Sequence, residues 1–257
     1  MDPESIEQAA ALLLDARKRK YQLDSIPPAF RPMSLDEAYA IQQHLFDLLG
    51  TGSVGWFLGG TNGSKVIPAP YAAPILKGAL LDSGADLSQD VFISWEVDVE
   101  FGFTFGSDVL PRETLYTIEE VVSFVASIHP TLDVVNAHFK NLKTVGWPSI
   151  IADIGTDGAV VRGKGVSNWD AASLGNLEVD LFVNETRILT GAGNTIMGNP
   201  VNALAWFVRH MSEQKRTVKA GEFVATGSCT DIYIGRLNDH IRADFGVYGI
   251  VKATLTD

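Results

Sequence analysis

Glu96, Asp98 and Glu100 are the residues of this chain whose types and spacing most directly suggest chemistry. They lie in a run, Val91 to Phe105, where Val91, Ile93, Trp95, Val97, Val99, Phe101, Phe103 and Phe105 share one parity. Ser94, Glu96, Asp98, Glu100 and Thr104 share the other. Such alternation predicts a long β-strand with its apolar face against the core. The three carboxylates then stand on the opposite face, with neighbouring Cβ atoms roughly 7 Å apart. Clustered like charges suppress their own ionisation unless water or a cation compensates them. Two at this spacing suit one hard divalent ion, which prefers oxygen ligands. The same alternation also describes the solvated face of an antiparallel sheet. A third ligand from another strand would decide for a metal, and Asp133, on a short strand expected over Leu132–Val135, is the candidate.

Other chemistries find less support. The five histidines, His44, His129, His138, His210 and His240, include no HExxH motif and no i, i+4 pair, which removes the usual zinc patterns. His129 and His138 bracket the Asp133 strand and can face one pocket, although a structural role is the simpler reading of each. The run Thr190-Gly-Ala-Gly-Asn-Thr-Ile-Met-Gly198 has Ile196 where a dinucleotide fingerprint needs its third glycine. There is no Gly-x-Ser-x-Gly elbow, and Cys229 has no base that the sequence identifies. A single cysteine excludes an internal disulfide and fits a reducing compartment.

The elements that must position these groups are written in caps and turns. Ser5-Ile-Glu-Gln8, Ser34-Leu-Asp-Glu37 and Thr117-Ile-Glu-Glu120 have capping-box spacing. They predict helices from about Ser5, from Leu35 to Leu49, and over Glu119–Ile128. Residues 1–52 read as a helical N-terminal cap and 53–257 as a β-rich catalytic core, with one continuous domain as the alternative. Leu177–Val183 and Arg187–Leu189 form a predicted hairpin around Asn184-Glu185, and Asn199-Pro200 opens a helix running to His210. The 257 residues are 46% hydrophobic, enough for a substantial core. With 20 Lys and Arg against 31 Asp and Glu, the net charge of −11 argues against nucleic acid as a partner. No apolar run reaches membrane-spanning length and the acidic N-terminus is unlike a signal peptide, so no membrane partner and a cytoplasmic location are expected.

The chain resembles the 2-keto-4-pentenoate hydratase and 4-oxalocrotonate decarboxylase group of the fumarylacetoacetate hydrolase superfamily. Leu189-Thr-Gly-Ala-Gly-Asn-Thr-Ile-Met-Gly-Asn-Pro-Val-Asn-Ala-Leu-Ala-Trp206 follows that group's TGAG…G-x-P-x-N-A-x-A-W text. Lys219-Ala-Gly-Glu-Phe-Val-Ala-Thr-Gly-Ser228, Ile151-Ala-Asp153 with Gly158-Ala159, and Ala38-Tyr39-x-Ile41-Gln42 are similar to further motifs. The resemblance spans essentially the whole chain. It implies an α+β fold, a mixed β-roll core with a small helical N-terminal cap. It also implies Mg2+ or Mn2+ on Asp98, Glu100 and Asp133, two of them shorter than the family's Glu.

The same resemblance places Phe57, Thr156, Thr226 and Gly227 at a substrate pocket. Phe57, in Gly55-Trp56-Phe57-Leu58-Gly59, stands where the family carries its proton-shuttling lysine, and Asn136-Ala137-His138 replaces Asp-Ser-Arg. Phenylalanine cannot move a proton, so His138, Glu96, Lys65 or Lys77 would have to act, the two lysines being turn and loop residues. The activity implied is a lyase on a small enolisable 2-oxo acid, of hydratase/dehydratase type through a metal-bound enolate. Decarboxylation or tautomerisation of a 2-oxo acid or 1,3-dicarbonyl is the alternative, and a non-catalytic ligand-binding homologue is the rival class. Trp56-Phe57 suggests a more apolar substrate than small diacids, and a homo-oligomer is expected.

Overall fold

The computed structural model describes residues 1–63 and 66–257; Lys65 lies outside the described residues. The helices are α1 (Pro3–Arg19), α2 (Leu35–Leu49), α3 (Ile118–Ser123), α4 (Trp147–Ala152) and α5 (Pro200–Glu213). The strands are β1 (Ser53–Gly59), β2 (Tyr71–Leu76), β3 (Leu80–Asp82), β4 (Ala85–Ser88), β5 (Glu96–Phe105), β6 (Val125–Val135) and β7 (Ala159–Arg162). They continue with β8 (Glu178–Val183), β9 (Thr186–Ala192), β10 (Phe223–Ser228), β11 (Tyr233–Ile234), β12 (His240–Asp244) and β13 (Ile250–Thr256). Among the described residues these strands form two sheets. The larger has eight strands in the order β2-β1-β10-β5-β6-β7-β3, with β11 added on β5, and the smaller has five in the order β4-β13-β12-β8-β9.

Local signals set most element ends. Ser34 caps α2 over the expected span, and Asn199 accepts from Val201 N ahead of Pro200 at the start of α5. Asn184 and Glu185 take φ of 48° and 65° in the two-residue turn joining β8 to β9. That turn twists with its strands, and asparagine tolerates the left-handed conformation. Helix α1 starts before Ser5, because Asp2 caps it by accepting from Ser5 N at 2.9 Å, with Pro3 in the first turn.

Three expected boundaries are corrected. Val91–Trp95 lie outside β5, and Val91 is 62% exposed, so the strand begins at Glu96. The helix expected to reach Ile128 stops at Ser123, and Val125–Val135 form one long strand in place of the short one at Leu132. β-Branched residues such as Val125 and Ile128 favour a strand, and pairing along the whole of β5 fixes it there. Pro130 is accommodated between the β7 pairing, which spans Thr131–Val134, and the Ile128–Val166 bridge.

The larger sheet divides two cores. On one side, Val97, Val99, Phe101, Phe103 and Phe105 of β5, all at most 1% exposed, pack with the smaller sheet and with Leu204 and Phe207 of α5. Each buried phenylalanine contributes about 1.5–3 kcal/mol. On the other side, Phe57, Tyr71, Ala73, Phe223 and Ala225 meet Ala9 and Leu13 of α1, Ile41 and Leu45 of α2, and Ile150 and Ile151 of α4. The cap helices therefore cover the face of β5 that carries the acidic residues. No helix among the described residues is long and apolar enough to cross a membrane.

Candidate active site

The β5–β6 register sets Asp98 directly opposite Asp133, and Glu100 opposite Thr131. Cβ atoms of residues so opposed lie about 4.5–5.5 Å apart, and like charges there destabilise the sheet. Glu96, Asp98, Glu100 and Asp133 all line one cavity of about 230 Å³. Its apolar wall includes Phe57, Tyr71, Leu142, Ile150 and Ile232. The carboxylate face is thus not the solvated surface that alternation alone allowed: Glu100 is 2% exposed and Asp133 6%.

Burial is the largest influence on each of these carboxyls and pushes all four toward the protonated form. Glu100 is raised well above the usual carboxylate range by desolvation, then by Asp133 and Asp98. Asp133 is raised by desolvation, then by Asp98 and Asp157. Burial pushes Asp98 up to about 7 although the Ser228 hydroxyl beside it pulls the other way, and burial raises Glu96 too. Glu100 Oε2 accepts from Gly227 N at 2.8 Å. Gly227 has a φ of 96°, and a Cβ there would lie 2.0 Å from Thr61 Oγ1, so only glycine can bring that N–H to the carboxylate.

These residues suit a divalent cation by chemistry rather than by a closed geometry. The donors are all carboxylate oxygens, as hard cations require. Asp98 Oδ1 is buried without a hydrogen-bond partner. No group of three or more His, Cys, Asp and Glu among the described residues is drawn together as a finished ligand set.

The remaining expected residues are placed as follows. Phe57 is 5% exposed and meets Tyr71 edge-on at 6.5 Å while lining the cavity. Trp56 points away from it: on the opposite side of β1 its ring packs 6.0 Å from Phe207 of α5. Of these two aromatic residues, Phe57 alone lines the cavity, because successive residues of a strand face opposite sides. Thr156 lines the cavity. Thr226 instead donates to Phe101 O at 2.9 Å, so its hydroxyl is spent within the sheet, and Gly227 contributes through its N–H to Glu100. Lys77 is exposed in the turn after β2 and is not a lining residue.

His138 is buried outside the cavity lining, with Nδ1 3.0 Å from Asp153 Oδ2. Asp153 is bound in turn by Arg17 of α1, whose Nη2 lies 2.8 Å from Asp153 Oδ1 and 2.5 Å from Asp157 Oδ1. Burial alone would raise the Asp153 carboxyl, but Arg17 and then His138 outweigh it and hold it below its ordinary value. Between these aspartates, Ile154, Gly155 and Thr156 take φ of 50°, 62° and 64°. Left-handed conformation at two β-branched residues costs about 1–3 kcal/mol each. The Arg17 clamp holds this strained turn where Gly155 and Thr156 line the cavity.

Arg17, Tyr71, Ser228 and Lys143 belong to the site and its support beyond the residues expected from sequence. Ser228 ends the Lys219–Ser228 motif, and Tyr71 follows Pro70 at the start of a strand, but nothing local marks Arg17 or Lys143.

No family model matches the chain. It is 28% identical over 239 residues, 89% of this chain and 86% of the relative, to 2-keto-4-pentenoate hydratase of Paraburkholderia xenovorans (strain LB400). It is 23% identical over 258 residues, 96% of each, to 4-oxalocrotonate decarboxylase of Pseudomonas putida. The solved 4-oxalocrotonate decarboxylase from Pseudomonas putida G7, complexed with magnesium and adipate, superposes with a TM-score of 0.89 over 99% of this chain and 98% of that one, at 19% identity. The resemblance read from the sequence and the α+β fold it implied are borne out by these relatives and this fold.

Proposed function

We propose that this chain is a divalent-metal-dependent lyase of the 2-keto-4-pentenoate hydratase and 4-oxalocrotonate decarboxylase group, acting on a small enolisable 2-oxo acid. The observation that carries the reading is the opposed Asp98–Asp133 pair, with Glu100 one pleat along, in a cavity walled on its far side by apolar rings. Asp98, Glu100 and Asp133 would hold Mg2+ or Mn2+. When bound, the ion supplies Lewis-acid polarisation to the oxygens of a 2-oxo acid.

The chain's own residues supply the rest. Gly227 N–H fixes the Glu100 carboxylate, and the Ser228 hydroxyl stands beside Asp98. Phe57, Tyr71 and Ile150 exclude water from the carbon chain of the substrate. Proton transfer cannot pass through Phe57. We assign it to Glu96, a half-buried cavity residue whose carboxyl burial pushes toward the protonated form, suiting it to hold and return a proton. His138, engaged with Asp153, serves in this reading to hold the cavity turn rather than to meet substrate. Thr156 supplies the wall of the substrate pocket. The loss of a lysine at position 57 favours one second reading, decarboxylation, which asks less of an acid–base group. The homo-oligomer expected from the resemblance belongs to the same proposal and is read by sedimentation.

Calorimetric titration of Mg2+ and Mn2+, with and without oxalate, on the natural chain and on Glu100→Ala tests the proposal. Metal-dependent oxalate binding that disappears in the variant is the expected result. Absence of binding in the natural chain, with an intact fold, overturns it.

A further inference from the structure

The cavity carries four carboxylates, and among its described lining residues Lys143 is the one cationic side chain. Lys143 is exposed on the segment between β6 and α4. Its place is fixed from both sides. Lys140 N donates to Leu23 O at 2.9 Å, Phe139 bridges Leu23, and Asn141 closes a turn by accepting from Lys143 N at 3.0 Å. Leu142 then packs into the apolar cluster of the cavity wall, which leaves Lys143 at the rim. The neighbouring Lys140 is committed to Asp24 at 3.0 Å, whereas Lys143 Nζ has no ion-pair partner among the described residues.

We propose that Lys143 is a specificity residue that receives an anionic group at the far end of the substrate, so that the site prefers 2-oxo diacids to 2-oxo monoacids. The proposal rests on the 2-oxo-acid reading above and deepens it. A substrate with one carboxylate is served at the acidic floor. Among the described residues, a second carboxylate in the same cavity meets only like charge unless it reaches the rim. The apolar wall of Phe57, Leu142 and Ile150 between floor and rim suits a hydrocarbon spacer. The expectation of a more apolar substrate than small diacids drew on Trp56-Phe57; the fold turns Trp56 away, and Phe57 stands in the wall beside the spacer.

The test uses a pair matched in carbon-chain length, 2-oxohexanedioate and 2-oxohexanoate, titrated calorimetrically in saturating Mg2+. An ion pair at a partly solvated rim corresponds to a preference of about fivefold for the diacid in the natural chain. Lys143→Gln is expected to bring that ratio to about one, leaving affinity for 2-oxohexanoate and for oxalate unchanged, whereas Lys143→Arg retains the preference. Raising the salt concentration should erode it in the natural chain and not in Lys143→Gln. A diacid preference that survives Lys143→Gln, or its absence from the natural chain while oxalate still binds, overturns the role of Lys143 and leaves the 2-oxo-acid site standing. Failure of oxalate as well as both acids to bind removes the site and the role together.

Discussion

Replacing Arg17 by methionine asks whether a salt bridge remote from the carboxylates holds the cavity in shape. The guanidinium is 11% exposed and touches two aspartates, one of them fully buried. Methionine fills similar volume but leaves Asp153 and Asp157 without their cation. Removing one partner of a buried pair costs about 3–5 kcal/mol. Relaxation of the strained Ile154–Thr156 turn returns part of that cost and His138 stays on Asp153, which keeps the expected loss at the lower end of that range. For a chain of this size each kcal/mol moves Tm by about 2–4 °C, so a fall on the order of 10 °C is expected. Urea denaturation followed by circular dichroism should show a lower midpoint with an unchanged slope.

The pH dependence adds a check. Asp153 is held below its ordinary value, so its contribution is present above that value and is lost as pH falls through the lowered one. The gap between the natural chain and Arg17→Met should therefore be widest near neutrality and narrow below about pH 4. A variant within about 1 kcal/mol of the natural chain at pH 7, a loss typical of exposed pairs, would refute the clamp.

Two further outcomes follow from the cavity. Asp98 lies at about 7 in the fold, and near 3.9 in an unfolded chain, so the folded state holds the extra proton between those values and metal-free stability falls as pH rises through that window. Mg2+ should consequently raise Tm more at pH 8 than at pH 5.5, and equal shifts in differential scanning calorimetry would count against carboxylate ligation. Phe57→Ala should lower stability by about 3–5 kcal/mol, because the ring packs against Tyr71 as well as bounding the cavity. A loss below about 1 kcal/mol would mean that the ring is not part of the core.

Much of the fold could be read before the structure because its signals are local. The Ser34 and Asn199 caps, the Asn184-Glu185 turn and the single-parity run from Val97 to Phe105 act within a few residues. Asp98 and Glu100 were legible for a related reason, since strand parity places them on one face; Asp133 was a candidate on a separate strand, and the β5–β6 register is what sets it opposite Asp98. What stayed hidden is long-range. Val125–Ile128 read as helix until β5 lies alongside, and the partner of Arg17 is more than half the chain away. Lys143 carries no motif; only the turn at Asn141 and the burial of Leu142 bring it to the rim.

The placement of β1 has a consequence for synthesis on the ribosome. β1 hydrogen-bonds to β2 on one side and runs parallel to β10 on the other, with Gly55 opposite Phe223 and Phe57 opposite Ala225. At the usual 5–20 residues per second, β1 and β2 emerge roughly 10–30 s before β10. Throughout that interval one edge of β1 is open, and an open apolar edge is a template for mispairing. Phe57 and Leu58 lie on that strand. The cap helices α1 and α2 are already made by then and can cover the Phe57 face of the strand, while its hydrogen-bonding edge stays open until β10 arrives.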